Sequence, residues 1–455
     1  MTPPVLVRRI WPVWLLAAAA GCGGAPATPG TVTPSTEQTL DELFNLPSVY
    51  QRLGRLAASG PMPFIGNVAY LKGRGDSTIA RIGLSFENHA FAFSREGPNY
   101  VARARIEYSL TRAGQPPIQA VRDEVIRVES FGETQRVDES VIIEQGFMLV
   151  PGSYTVAVTV RDPAANVFSR GEQTVQVPAL APGSFTEPIF VYQVRPRQSL
   201  ADSLVMLLNP RGTVANGGGD SLVMYVEAYG TPEGGRQIPV RVRGERDSVL
   251  YQAMLTLRGG REVEGHLVRI ASDAPPLGQL SVEIGEGAER KQVVALVSFS
   301  RNWVVTNYDN LLALLRFFPW RQDLINGLRA ARPAERPRLW REFWTATDPN
   351  PATGENEALD LYFTRIAVAN ERFRDEGGPG WRSDRGEVYV TLGEPDQVYE
   401  NPPGSDIRVV QWAYSRYRAV ITFTGPLGFS RLRMTTASRS EFSRARALAI
   451  REGAR

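Results

Sequence analysis

Cysteine, lysine and histidine are nearly missing from this 455-residue chain. With one cysteine, Cys22, no disulfide can form within the monomer, so the fold must rest on its apolar cores. Lysine occurs only at Lys72 and Lys291; almost all positive charge is arginine, a bias expected of a GC-rich genome and given no functional weight. The two histidines, His89 and His266, lie in β-rich sequence, and no HExxH, GxSxG or paired Cys/His pattern occurs anywhere. No metal or cofactor is therefore expected. Charge of one sign is also lacking: the net charge is +3, and about +1 once Arg8 and Arg9 are removed, so no nucleic-acid footprint follows.

What is present begins at the N-terminus. Arg8 and Arg9 precede the apolar run IWPVWLLAAAA, residues 10–20, which is shorter than the roughly 20 residues a spanning helix needs. Residues 1–21 read as an export signal. Ala19, Ala20, Gly21 and Cys22 resemble the bacterial lipobox, which makes Cys22 the expected site of acylation and a lipid bilayer the expected partner. Gly23 stands where an inner-membrane retention residue is usually aspartate, so outer-membrane placement is favoured. Residues 22–36, rich in Gly, Pro, Ala and Thr, cannot bury enough apolar surface to order and read as a tether.

A hydrophobic fraction of 43% allows two to four domains with ordinary cores. Residues 37–60 predict a short amphipathic helix through Leu40, Leu43 and Phe44, broken or restarted at Pro47. From 61 to 183, short alternating segments such as ARIGLSFE and SYTVAVTVRD predict a β-sandwich of immunoglobulin or fibronectin type, and residues 184–301 predict a second. The glycines at 217–219, with Asp220, fall between strands and read as a hairpin loop. The RGD at 74–76 reads as a turn. Residues 302–455 turn helical over 307–331, 335–347 and 356–375, then predict a β-meander that includes EVYVTLG, IRVVQWAYS, YRAVITF and FSRLRMT. The expected class is thus multidomain and mainly β, with an α+β C-terminal part.

Within that last part several linked motifs occur. Phe343, Trp344, Asp348 and Pro349 form one, and Asn356 with Glu357 a second. Arg365 and Asn370 sit on the following helix. Gly380, Trp381, Ser383, Asp384, Arg385, Gly386, Tyr389, Gly393, Pro395 and Asp396 complete the set. In order and spacing the set, over about 300–435, resembles the bacterial GWxTD-domain family, whose members are typically exported proteins or lipoproteins of unestablished biochemical function. Ser383 replaces the family threonine and keeps its hydroxyl; Thr347 stands where an arginine is usual. LGEPD, the WAY at 412–414 and Phe423 also resemble the small lipoprotein of the outer-membrane β-barrel assembly machine.

Read from the residues alone, Gly380 suits a left-handed cap, Trp381 a buried anchor, and Ser383 with Asp384 a tight turn into a strand in which Val388, Val390 and Leu392 share one face. The catalytic alternative uses Asp384, Glu387 and Asp396 as paired carboxylates for glycoside cleavage. Trp303, Trp320, Trp340, Trp344, Trp381 and Trp412 could stack sugars, although tryptophans on apolar helix faces generally belong to a core. The leading expectation is a non-catalytic envelope lipoprotein that docks a protein partner. A carboxylate-dependent hydrolase, or a binding protein, acting on envelope polysaccharide is the rival.

Overall fold

The computed structural model describes residues 45–136, 139–216, 221–244, 248–271, 275, 277–299, 303–304, 307–353, 356–373, 378–401, 407–426 and 431–453. The signal, lipobox and tether, and the glycine run at 217–219, lie outside the described residues.

Asn45 caps the first described helix, Leu46–Arg52, by accepting from the Ser48 amide, and Pro47 sits in its first turn, where a missing N–H costs nothing. The helix expected over 37–60, whose Leu40, Leu43 and Phe44 lie outside the described residues, does not run on to residue 60. Gly54 takes a positive φ of 73°, the chain reverses, and Leu56–Ala58 forms a fully buried strand. Only backbone without a Cβ makes that reversal freely.

The chain then forms two pairs of sheets. In the first pair, Leu56–Ala58, Phe64–Lys72, Thr78–Glu87 and Glu139–Leu149 are antiparallel neighbours in that order. The facing sheet joins Ser94–Glu96, Asn99–Thr111, Gly152–Asp162 and Val167–Val177, with Ile118–Val128 paired to Asn99–Thr111. Alternation decides which side chains meet. Along Asn99–Thr111, Ala104, Ile106, Tyr108 and Leu110 point inward against Ile82, Leu84 and Phe86, while Arg103 and Arg105 point to water. Arg74, Gly75 and Asp76 occupy the turn between Phe64–Lys72 and Thr78–Glu87, as their sequence implied.

In the second pair, Val205–Leu208, Ile189–Arg195, Ser221–Tyr229 and Val263–Ala271 make one sheet. Thr213–Ala215, Lys291–Ser298, Gly278–Ile284, Arg236–Arg243 and Val249–Leu257 make the other, with only the Thr213–Ala215 pairing parallel. Leu222, Met224 and Val226 meet Val240, Val242, Leu280 and Val282 between them.

The two sheet pairs are fused rather than strung. Ala69 and Leu71 pack on Ile189, Val191, Met206, Leu208 and Tyr225. Two buried arginines cross the seam. Arg211 Nε donates to Ser85 Oγ at 2.9 Å and its Nη2 to Glu87 at 3.1 Å. Arg197 grips Glu227 through Nε at 3.0 Å and Nη2 at 2.6 Å, and also reaches the Lys72 carbonyl at 3.1 Å. Tyr225 and Tyr229 donate their hydroxyls to the same carboxylate, so this buried charge pair is fully surrounded by partners.

Helices follow at Tyr308–Leu314, Gln322–Ala330, Arg336–Thr347 and Glu357–Arg372, close to the expected spans. Gln397–Glu400, Ile407–Tyr414, Ala419–Pro426 and Arg433–Met434 form an antiparallel meander, and Thr436–Gly453 a terminal helix. The described fold is thus mainly β, with its helices gathered toward the C-terminus. No described helix is long and apolar enough to cross a membrane.

Candidate functional site

The motif residues fall on four consecutive helical elements and the turns between and after them. Asn356, fully buried, caps Glu357–Arg372 by accepting from the Leu359 amide at 3.0 Å. Its own amide donates to the Trp344 carbonyl and to Thr347 Oγ1, both at 3.0 Å, tying the end of one helix to the start of the next. Thr347, where an arginine is usual, closes this joint through its hydroxyl. Phe343 is buried between Phe318 and Trp340, Asp348 accepts from the Asn350 amide to turn the chain at Pro349, and Glu357 receives the Thr353 hydroxyl.

Near the other end of that helix, Asn370 Oδ1 accepts the Gly380 amide at 3.0 Å. Gly380 is not in a left-handed conformation. A Cβ there would lie 2.4 Å from the Ala369 carbonyl oxygen and 2.8 Å from that of Asn370, so glycine is required by close approach of two backbones. Trp381 follows in the short 3-10 turn Gly380–Arg382, fully buried, with Phe317 edge-on at 5.7 Å and the Arg382 guanidinium 5.2 Å over its ring. Among the described residues its indole N–H has no acceptor. Leaving that donor unpaired costs about 1–3 kcal/mol, less than the roughly 5 kcal/mol that burying about 200 Å² of indole contributes.

The next segment departs from the expected strand. Asp384–Leu392 is a helix, capped by Ser383, whose Oγ accepts the Gly386 amide at 2.9 Å and donates to the Gly380 carbonyl at 2.7 Å. Asp384 and Glu387 lie in its first turn, where carboxylates favour the helix dipole, and Gly393 ends it at a φ of 87°. The alternation of Val388, Val390 and Leu392 misleads because this helix is buried almost all round, with only Glu387 half-buried. A helix with no solvent face has no 3.6-residue polar stripe to reveal it.

Asp384 is used within the fold. Its Oδ2 accepts the Met434 amide at 2.7 Å and Arg439 Nη2 at 2.9 Å, joining the motif helix to the last strand and the terminal helix. Glu387 has its carboxyl pushed up by burial; Arg446 opposes the shift and the Asp384 charge adds to it. Asp396 is exposed and accepts the Ser415 amide at 2.5 Å. The three carboxylates proposed as a catalytic set are therefore not alike. Asp384 neutralises an arginine, and Asp396 pins the meander past the far end of the helix. Arg385 stacks over Phe373 at 4.7 Å, and Arg365 reaches the Val390 and Thr391 carbonyls. Tyr389 lies under Arg372, which pairs with Glu394 at 2.7 Å; Pro395 follows. Gly393 passes so close to Arg365 that a Cβ would stand 2.7 Å from its guanidinium, and the Gly393 carbonyl accepts the Tyr414 hydroxyl at 3.0 Å.

None of the six candidate sugar-stacking tryptophans is exposed. Trp340, Trp381 and Trp412 are buried, while Trp303, Trp320 and Trp344 pack against the same core. His89, in the 3-10 turn Asn88–Ala90, sits 3.3 Å from Glu87, and His266, on strand Val263–Ala271, 3.7 Å from Glu264. Arg439 was not singled out by sequence reading. Its signal is only that of a basic residue in a terminal helix.

A protein-family model described as the GWxTD domain matches residues 284–435. The chain contains a GWxTD domain. The matched span opens at the end of strand Gly278–Ile284 and takes in the whole of Lys291–Ser298, so the GWxTD domain carries a strand of the preceding sheet with it. No curated protein matches the chain. Among solved structures, the calcium-binding domains CBD12 of CALX1.1 are 12% identical, with 59% of this chain and 87% of that one covered at a TM-score of 0.13. A putative secreted protein from Parabacteroides distasonis is 11% identical, covering 49% and 85% at 0.11. At those scores neither likeness carries an argument about this GWxTD protein.

Proposed function

We propose that this protein is an envelope lipoprotein, acylated at Cys22 and probing the outer-membrane periphery, whose GWxTD domain docks a protein partner and performs no chemistry of its own. In this reading the two sheet pairs are sandwiches of immunoglobulin or fibronectin type that carry the docking domain. The observation that supports it is the outer face of the C-terminal meander. Cross-strand register places Tyr399, Gln411 and Thr422 in one row and Gln397, Ala413 and Val420 in the next, with Ile407 and Val409 beyond. None of these residues carries a charge, in a chain whose charged fraction is 22%. Tyr399, Ile407 and Val420 are about half exposed or more, at 58%, 55% and 49%. On the opposite face Val410, Trp412, Ile421 and Phe423 are buried. Arg433, opposite Thr424 in the row of Val409, sets a charge at the edge of this face; an aromatic and β-branched side chains within a polar rim are the composition of an interface core.

The motif itself supports the same reading, because its polar groups are spent on caps, joints and one ion pair that hold this sheet in place. Photo-crosslinking in the native envelope from Tyr399, Val409 and Val420 tests it, with Arg418, on the turn between the two long strands, as the control position. A single protein captured from the three face positions and lost in Val420→Arg supports docking. Capture equal to the control, from a chain shown to be folded, refutes it.

A further inference from the structure

Strand Ile118–Val128 leaves an open sheet edge. All of its 11 residues pair on one side with Asn99–Thr111, from Tyr100 opposite Val128 to Leu110 opposite Ile118. Among the described residues no strand pairs with its other side. An edge of this length shows a row of unpaired N–H and C=O groups that will accept another strand unless something opposes it.

The sequence of this strand, IQAVRDEVIRV, complements itself about Asp123. We propose that two copies of the chain join edge to edge through Ile118–Val128, antiparallel, with a two-fold axis at Asp123. Residues then pair so that their numbers sum to a constant, and both members of a pair share a face. On the outward face Val121, 54% exposed, meets Val125 of the second copy, 42% exposed. On the face toward the core Arg122 meets Glu124, Ala120 meets Ile126, and Ile118 meets Val128. Asp123 meets its own counterpart on the axis, and in each copy Arg105 Nη1 stands 3.3 Å from the Asp123 carboxylate to offset that repulsion.

Charges in an edge strand usually serve to keep other strands away. Here their order selects one neighbour. Moving the axis by one residue sets Arg122 against Arg122 or Glu124 against Glu124, so like charges oppose the adjacent registers while opposite charges favour the centred one. A partner strand without this reversed order forgoes both opposite-charge contacts.

The test is sedimentation of the full chain in density-matched detergent from ~1 to ~100 µM, where a two-copy equilibrium depends on concentration by mass action. The expected species at the upper end has twice the mass of the species at the lower end. Arg122→Glu and Glu124→Arg, made singly, each place two like-charge contacts in the dimer and should weaken it at least about tenfold. The double exchange restores both contacts and should return the dissociation constant to within about threefold of the parent. Because the Arg122 side chain also donates to the Glu144 carbonyl and pairs with Glu124 of its own strand, Val125→Asp on the exposed face serves as a second disruptor that leaves both contacts intact. A chain that stays monomeric throughout, or a dimer indifferent to the single reversals and to Val125→Asp, overturns the proposal.

Discussion

Gly386→Ala sets two effects against each other within the motif. Gly386 is the third residue of a helix, and alanine is favoured over glycine in a helix by about 1 kcal/mol. On propensity alone the substitution stabilises. Against this, the new Cβ would lie 2.1 Å from the Gly380 carbonyl oxygen and 2.7 Å from both the carbonyl carbon and the Cα of Trp381. All three atoms are backbone, so no side chain can swing away. The Gly380 carbonyl is itself fixed by the Ser383 hydroxyl at 2.7 Å and by the Ser383 amide at 3.1 Å. Reaching ordinary contact requires the 3-10 turn and the helix to part by about 1 Å, and overpacking of that kind costs about 3 kcal/mol. The expected net change is a loss of about 2 kcal/mol. Urea unfolding followed by tryptophan fluorescence reads it, since Trp381 sits in the joint. A variant as stable as the parent, or more so, would refute the claim that this glycine exists for backbone approach.

Glu227→Ala strands the Arg197 guanidinium in a buried seam and should cost about 3–5 kcal/mol, whereas Arg372→Ala, at the exposed Glu394 pair, should cost under about 1 kcal/mol; thermal unfolding of both variants distinguishes them. Ser383→Ala removes a helix cap and a bond to Gly380 and should cost about 1–2 kcal/mol, while Ser383→Thr, which keeps the hydroxyl, should stay near the parent in the same melt. The Glu387 carboxyl is raised in the folded protein by burial, so the unfolded chain ionises first and stability falls as pH climbs from the unfolded value through the folded one. Glu387→Gln should therefore match the parent below that window and exceed it at pH 7, with an unchanged far-ultraviolet spectrum. A fragment of residues 302–455 alone loses Phe299, which packs on Trp340 at 5.8 Å and Phe363 at 5.1 Å, and should bind a hydrophobic dye and lack a cooperative melt.

Period-two and helical patterning located the strands and helices because most of them have one wet face. Asn99–Thr111 alternates Ala104, Ile106, Tyr108 and Leu110 with charged or hydroxyl-bearing residues, and that contrast survives in the sequence. Where burial is complete the contrast vanishes. EVYVTLG, residues 387–393, reads as a strand for this reason, although Ser383 and Asp384 before it, Glu387 in the first turn and Gly393 at the end are all helix-end signals. Capping chemistry is the better guide whenever an element has no solvent face. The motif could be found in sequence, but its meaning could not. That Asp384 meets Arg439, 55 positions away, or that Gly380 lies against Ala369 and Asn370, depends on how helices cross. The outer face of the meander could have been read as a run without charges at alternate positions, yet only the register aligns Tyr399 with Gln411 and Thr422.

The GWxTD motif is better described as a joint than as a loop with a task. Asn356 ties two helices, Gly380 and Gly386 let three segments approach at backbone distance, and Asp384 ties the motif helix to the last strand and the terminal helix. Each of these contacts fails with a single atom added or removed. The same core continues through Phe299 into the sheet of Lys291–Ser298 without a break. A boundary at residue 301 would therefore cut through packed rings, and the match beginning at residue 284 follows the core rather than the change from strand to helix. Substitutions at the joint should thus act on the stability of the second sheet pair as well as on the helices, because one continuous set of side chains transmits the loss to both.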